Sequence, residues 1–177
     1  LSDHLWLMSG ARLDVKRENE LGAATLAEER LAFEAGKVPE GINRFVLVGE
    51  SQTARSLGLT GEGLGPGGIL VRTRGNVLAL LGPATPSDSG GTRHAVIELL
   101  EQLGVRYLWP GELGRVIPKT QTIAVGPLAV RFTPPIGQRH IRSMGMSERP
   151  ESGLARLQLT RDEWDQAARQ AAALDRG

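Results

Sequence analysis

A chain of 177 residues with 40% hydrophobic and 23% charged side chains is long and apolar enough to bury a real core, which excludes a disordered protein. Twenty-one Lys and Arg against twenty Asp and Glu leave a formal charge of +1, too weak a field to hold a nucleic-acid backbone or an anionic membrane, so neither is an expected partner. The absence of cysteine excludes disulfides, thiolate metal sites and cysteine nucleophiles but is compatible with either redox compartment.

The chain opens on Leu1 with neither an initiator Met nor a signal-peptide pattern, and reads as a processed or excised piece of a longer protein. Leu1, Leu5, Leu7 and Met8 stand at near-helical spacing, predicting a short helix over 1–11 that stops at Gly10. Leu13 and Val15 alternate with polar residues like a brief strand, and 18–35, rich in Ala, Leu and Glu, predicts a second helix ending near Gly36. The apolar run Phe45-Val46-Leu47-Val48 has the look of a buried central strand. Ser51 can cap a short helix through Leu57, and the glycine-rich stretch 58–68 reads as a loop. Residues 69–74 and 77–81 around Gly75-Asn76 form the clearest hairpin.

Beyond a Pro/Ser/Asp/Gly loop over 82–91, Val96, Leu99, Leu100 and Leu103 mark one face of a helix over 92–103, closed by Gly104. Short extended pieces are expected at 105–108, 115–117, 122–125 and 129–132. After Pro134-Pro135 the character changes. Residues 139–144 could add a strand, 147–153 is polar linker, and 160–174 is an Ala-rich helix with Thr160 as cap and Glu163 at capping-box spacing. An apolar face left bare on that helix would invite self-association.

Chemistry-bearing residues are sparse. His94 and Glu98 are four apart, but a zinc site needs further converging ligands, and an ordinary solvated helix pair is the simpler reading. The run 61–68 has the glycines of a phosphate-cradling loop, yet it opens a strand instead of a helix, so a flexible connector is expected. Gly49-Glu50-Ser51-Gln52-Thr53 follows a strand as a nucleophile elbow does but lacks the second glycine, and Ser51 reads as a cap. Glu50, Glu112 and Glu148 read as plain loop acids, with no pair set up for glycoside cleavage. Tyr107, Trp109 and Trp164 are candidate sugar-stacking faces, against packing as the plainer role. Arg131, Arg139, His140 and Arg142 could grip a carboxylate or a hydroxyl-rich ligand, against a solvated strand edge.

The stretch 91–111, from Gly91-Thr92-Arg93-His94 through Leu103-Gly104-Val105-Arg106-Tyr107-Leu108-Trp109-Pro110-Gly111, carries a resemblance. Together with Val116-Ile117-Pro118-Lys119 and the order of elements before it, it resembles the small N-terminal domain of bacterial α-glucuronidases, β-N-acetylhexosaminidases and other glycoside-hydrolase-like proteins, over residues 1–142. The resemblance implies an α+β fold: a mixed β-sheet with helices packed on one face, in a zincin-like topology without a metal site. It divides the chain into an accessory domain over 1–133 and, over 134–177, the start of a truncated (β/α)8 barrel or a linker plus helix. A barrel takes about 250 residues, so the catalytic acids of such enzymes would fall outside this chain. The implied role is non-catalytic: bracing a catalytic barrel in cis, in a secreted or periplasmic protein, with no cofactor. Carbohydrate is the expected ligand class, met through Arg139, whose counterpart in the resembled families contacts the sugar at the active site, and through Trp109. A free-standing glycan-binding module is the alternative.

Overall fold

The computed structural model describes residues 1–84, 90–108 and 112–136, all within the first of two units, Leu1–Gly137. The expected strand over 139–144, the linker 147–153 and the helix 160–174 lie outside the described residues. The first helix, α1 (Ser2–Ser9), ends where expected: Gly10 takes a left-handed φ of 76° and donates its N–H to the Trp6 carbonyl.

The next expectations fail. Residues 11–17 form no strand, and Val15 is 77% exposed. In place of a helix over 18–35 there is a 3-10 turn (Glu18–Glu20) followed by an antiparallel hairpin, β1 (Ala24–Ala27) and β2 (Arg30–Phe33). Glu28 and Glu29 connect them with φ of 49° and 62°, a pair of positive values that breaks any helix and matches the twist of a two-residue hairpin turn. Helix propensity is a weak prior, and here tertiary contact overrides it: Leu31 of β2 is buried in the main core.

The main sheet is built from β3 (Phe45–Val48), β4 (Ile69–Arg74), β5 (Val77–Leu81) and a last strand. Between these strands and that last one lie α2 (Gln52–Ser56), α3 (Gly90–Gln102), and the two-residue strands β6 (Arg106–Tyr107) and β7 (Arg115–Val116), which pair with each other. The last strand is β8 (Ala129–Phe132), and residues 122–125, expected to be extended, form no strand. The sheet order is β3-β5-β4-β8, with β3 parallel to β5 and the other pairs antiparallel. The fold is therefore α+β with a mixed sheet. Its centre is the predicted hairpin, Gly75 standing at φ 54° in the first turn position.

The run Phe45–Val48 is not central but an edge strand. Phe45 and Leu47 pack inward, while Val46 and Val48 stay 38% and 53% exposed. An apolar run shows that a strand has something to bury, not which neighbours it has.

Alternation along β4 and β5 sends side chains to both faces. On one face Leu70, Val77, Ala79 and Leu81 pack with Leu31, with Ala54 of α2, and with Leu57 and Leu59. On the other, Ile69, Val71, Leu78 and Leu80 pack against Ala95 and Leu99 of α3. A third layer follows, where Leu5 and Met8 of α1 meet Leu100 and Val105. The expectation of helices on one face thus holds for α3 but not for α2, while α1 packs against α3 and Val105. Fully burying a Leu- or Val-sized side chain contributes roughly 1.5–3 kcal/mol, so these two-sided strands hold the domain together.

Candidate binding surface

Neither Trp109 nor Arg139 lies among the described residues, and the same is true of His140, Arg142, Glu148 and Trp164. The described residues next to Trp109 in sequence are Tyr107 and Leu108. Tyr107 follows Arg106 in β6 and pairs in register with Arg115 of β7. Its hydroxyl hydrogen-bonds His4 Nε2 at 2.7 Å, and the two rings meet edge to face at 6.0 Å. Burial holds the His4 imidazole below its ordinary pKa, helped by the amino terminus and Arg115 and opposed by Asp3. A neutral ring can accept the phenol proton at Nε2, so α1 pins the Tyr107 side chain. Around it the β6–β7 region turns apolar groups to solvent: Tyr107 and Val116 are each 46% exposed, Leu108 65% and Leu113 90%.

Arg131 does not join a ligand-gripping cluster among the described residues. It projects from β8 toward the glycine-rich loop and donates to the carbonyls of Thr60 and Glu62. That loop is more than a flexible connector. Leu59 is fully buried, and Gly65 N–H donates to Thr133 Oγ1 at 3.3 Å. Glu50, read from sequence as a plain loop acid, organises the loop's start. Its side chain is 13% exposed, and its carboxylate meets Arg55 Nε at 3.2 Å, Thr60 Oγ1 at 3.1 Å and the N–H of Gly61. At Gly61 a Cβ would overlap the Gly82 carbonyl oxygen, so only glycine fits against the end of β5.

Ser51 is a helix cap, its Oγ accepting from Ala54 N–H at 3.0 Å. The other amides of that helix start are also taken: Glu18 accepts from Gln52 N–H at 3.2 Å and from Thr53 N–H at 2.6 Å. Among the described residues no histidine hydrogen-bonds Ser51, whose hydroxyl instead meets the Glu18 carboxylate. His94 and Glu98, four apart on α3, gain no third ligand: among the described residues no three His, Asp or Glu side chains could hold a metal, and Glu98 accepts from Gln102.

One aromatic escaped the sequence reading as a ligand face. Trp6 is 46% exposed at a shallow recess of about 520 Å³ shared with Lys119 and Thr120, and Arg12 lies 6.0 Å from its ring centroid. The signal for it was its place off the Leu1, Leu5, Met8 stripe of α1. Among the described residues no helix is long and apolar enough to cross a membrane. Compared with protein-family models, curated proteins and solved structures, the chain matches none of them.

Proposed function

We propose that this chain is a non-catalytic accessory domain of a carbohydrate-active, glycoside-hydrolase-like protein, bracing a catalytic barrel in the same polypeptide. The observation that carries this reading is the apolar surface of Tyr107, Leu108, Leu113 and Val116, held in place on an ordered two-strand scaffold. Large apolar side chains left exposed together on one small sheet suit a surface that another body covers. The zincin-like topology belongs to the same proposal. Its support is α3 lying across a mixed sheet in which β3 and β5 are parallel and β4 antiparallel.

The test is a Leu108→Glu/Leu113→Glu double variant, made both in the 177-residue chain and in a longer protein that carries it. The expected result is an unchanged unfolding midpoint for the chain alone, with lower stability and glycosidase turnover in the longer protein. Equal behaviour of variant and parent in both settings would sink the bracing role.

A second reading, a free-standing glycan-binding module, is favoured by Tyr107, whose half-exposed ring is fixed by His4 as a stacking face would be. It predicts calorimetric binding of sugar oligomers to this chain, lost in Trp109→Ala and Arg139→Ala. Silence across a panel of uronic acids and N-acetylhexosamines, from folded protein, would leave the bracing role as the better account.

A further inference from the structure

Four of the described arginines are occupied by the chain's own acceptors. Arg55 pairs with Glu50 at 3.2 Å, Arg74 with Glu29 at 3.7 Å, Arg106 holds the Glu101 carbonyl at 2.6 Å, and Arg131 ties down the glycine-rich loop. Arg30 and Arg44 differ. Neither makes an ion pair or a side-chain hydrogen bond to any described residue, and both line one cleft of about 500 Å³ at the β4–β5 turn.

Three features make this cleft more than two surface charges. First, it contains no acid: Asn43, Thr73 and Asn76 supply its polar lining, and Glu29, beside Arg30 in sequence, gives its carboxylate to Arg74. Second, its frame is fixed by one amide. Asn76 Nδ2 donates to the Leu31 carbonyl at 2.9 Å and to the Asn43 carbonyl at 2.7 Å, so the backbone beside Arg30 and the backbone beside Arg44 are tied to the same side chain. Third, Leu78 and Val125 give it an apolar wall that suits a small organic body.

Two cations brought to one cavity without a counter-charge create a potential that favours anions, and a guanidinium fork matches the paired oxygens of carboxylate and phosphate. We propose that this cleft binds a small dianionic oxyanion, a phosphate ester or a dicarboxylate, between Arg30 and Arg44. The proposal does not depend on the accessory-domain reading.

The experiment is calorimetric titration of the full chain with inorganic phosphate and, separately, with succinate, at low and high salt. Arg30→Gln and Arg44→Gln are compared with Arg72→Gln, an exposed β4 arginine outside the cleft. The expected result is saturable binding of at least one probe, weakened on the order of tenfold by either cleft variant, abolished by the pair, and unchanged in Arg72→Gln. Tighter binding of phosphate would name an ester as the source, and tighter binding of succinate a dicarboxylate. Unchanged unfolding midpoints would show that the variants keep the fold, as these exposed positions lead one to expect. No binding of either probe, or equal weakening by Arg72→Gln, would overturn the proposal.

Discussion

The Asn76 side chain pairs with the backbone of Leu31 as a neighbouring strand would: Oδ1 accepts from Leu31 N–H at 2.7 Å, and Nδ2 donates to Leu31 C=O at 2.9 Å. One amide thereby joins the β1–β2 hairpin to the main sheet, where Leu31 fills the core between Leu57, Leu70 and Val77. Asn76→Asp keeps the shape and the acceptor but removes both donated bonds and puts a carboxylate against two carbonyls. A loss of about 2–3 kcal/mol is expected in urea unfolding, since a part-buried carbonyl left unpaired costs roughly 1–3 kcal/mol. A midpoint equal to that of the parent would show the hairpin to be held by Leu31 packing alone.

That pairing also explains where sequence reading failed. The central hairpin, α3, the Ser51 cap and the Gly10 stop were all legible, because each depends on residues within a turn or two of one another. Residues 18–35 were not. Their Ala, Leu and Glu content favours a helix, and the partner that makes them a hairpin is an asparagine 45 positions away in sequence. Glu50 was illegible for a similar reason: its partners Thr60 and Gly61 are brought to it by the fold, and no spacing rule marks them. Of the two residues proposed for sugar contact, Trp109 and Arg139, neither falls within the described residues.

Glu18 gives a pH-dependent contribution. Burial alone would lift its carboxyl, but hydrogen bonds from Thr53, Gln52 and Ser51 outweigh that and hold its pKa below the ordinary value. A folded-state pKa below the unfolded one means the stabilisation is complete above the unfolded carboxylate's range and is lost as pH falls through the folded value. Glu18→Gln should therefore unfold more easily at about pH 7, by the ~0.3–1 kcal/mol typical of a screened carboxylate at a helix start. The gap between variant and parent should narrow as pH falls below the ordinary carboxylate range and the parent's carboxyl takes up its proton. A gap that widens on acidification would contradict the assignment.

Gly61→Ala tests the seam between the glycine-rich loop and β5. The added methyl meets the Gly82 carbonyl, part of the backbone, which cannot swing aside as a side-chain end would. The expected cost is at or above the upper end of the ~1–3 kcal/mol usual for overpacking. Gly126→Ala is the control, with open space around its Cβ and a change expected within ~0.5 kcal/mol. Thermal unfolding of the two variants side by side reads the difference.

Leu80 and Leu113 are the extremes of one residue type, at 0% and 90% exposure. Leu80→Ala opens a cavity between the sheet and α3 and should cost about 2–5 kcal/mol. Leu113→Ala in the same chain should stay within ~0.5 kcal/mol, because its apolar surface has nothing in this domain to leave. A large cost at Leu113 would mean that the side chain is already covered, and the proposed bracing surface would have to be redrawn.

The first helix is fastened to the far side of the chain. Lys119 Nζ reaches the Leu7 carbonyl across 112 positions, and Thr120 N–H reaches the Met8 carbonyl. These contacts close a ring around nearly all of the described fold, whereas the β4–β5 hairpin closes through a two-residue turn. The entropy of closing a loop rises with its length, so the hairpin is expected to form early and α1 to dock among the last events. The same asymmetry leads us to expect that α1 opens more readily than the β4–β5 hairpin in the finished molecule. In native-state hydrogen exchange its amides should be released by a local opening well below the global unfolding free energy, while those of Val71 and Leu80 should wait for the whole domain.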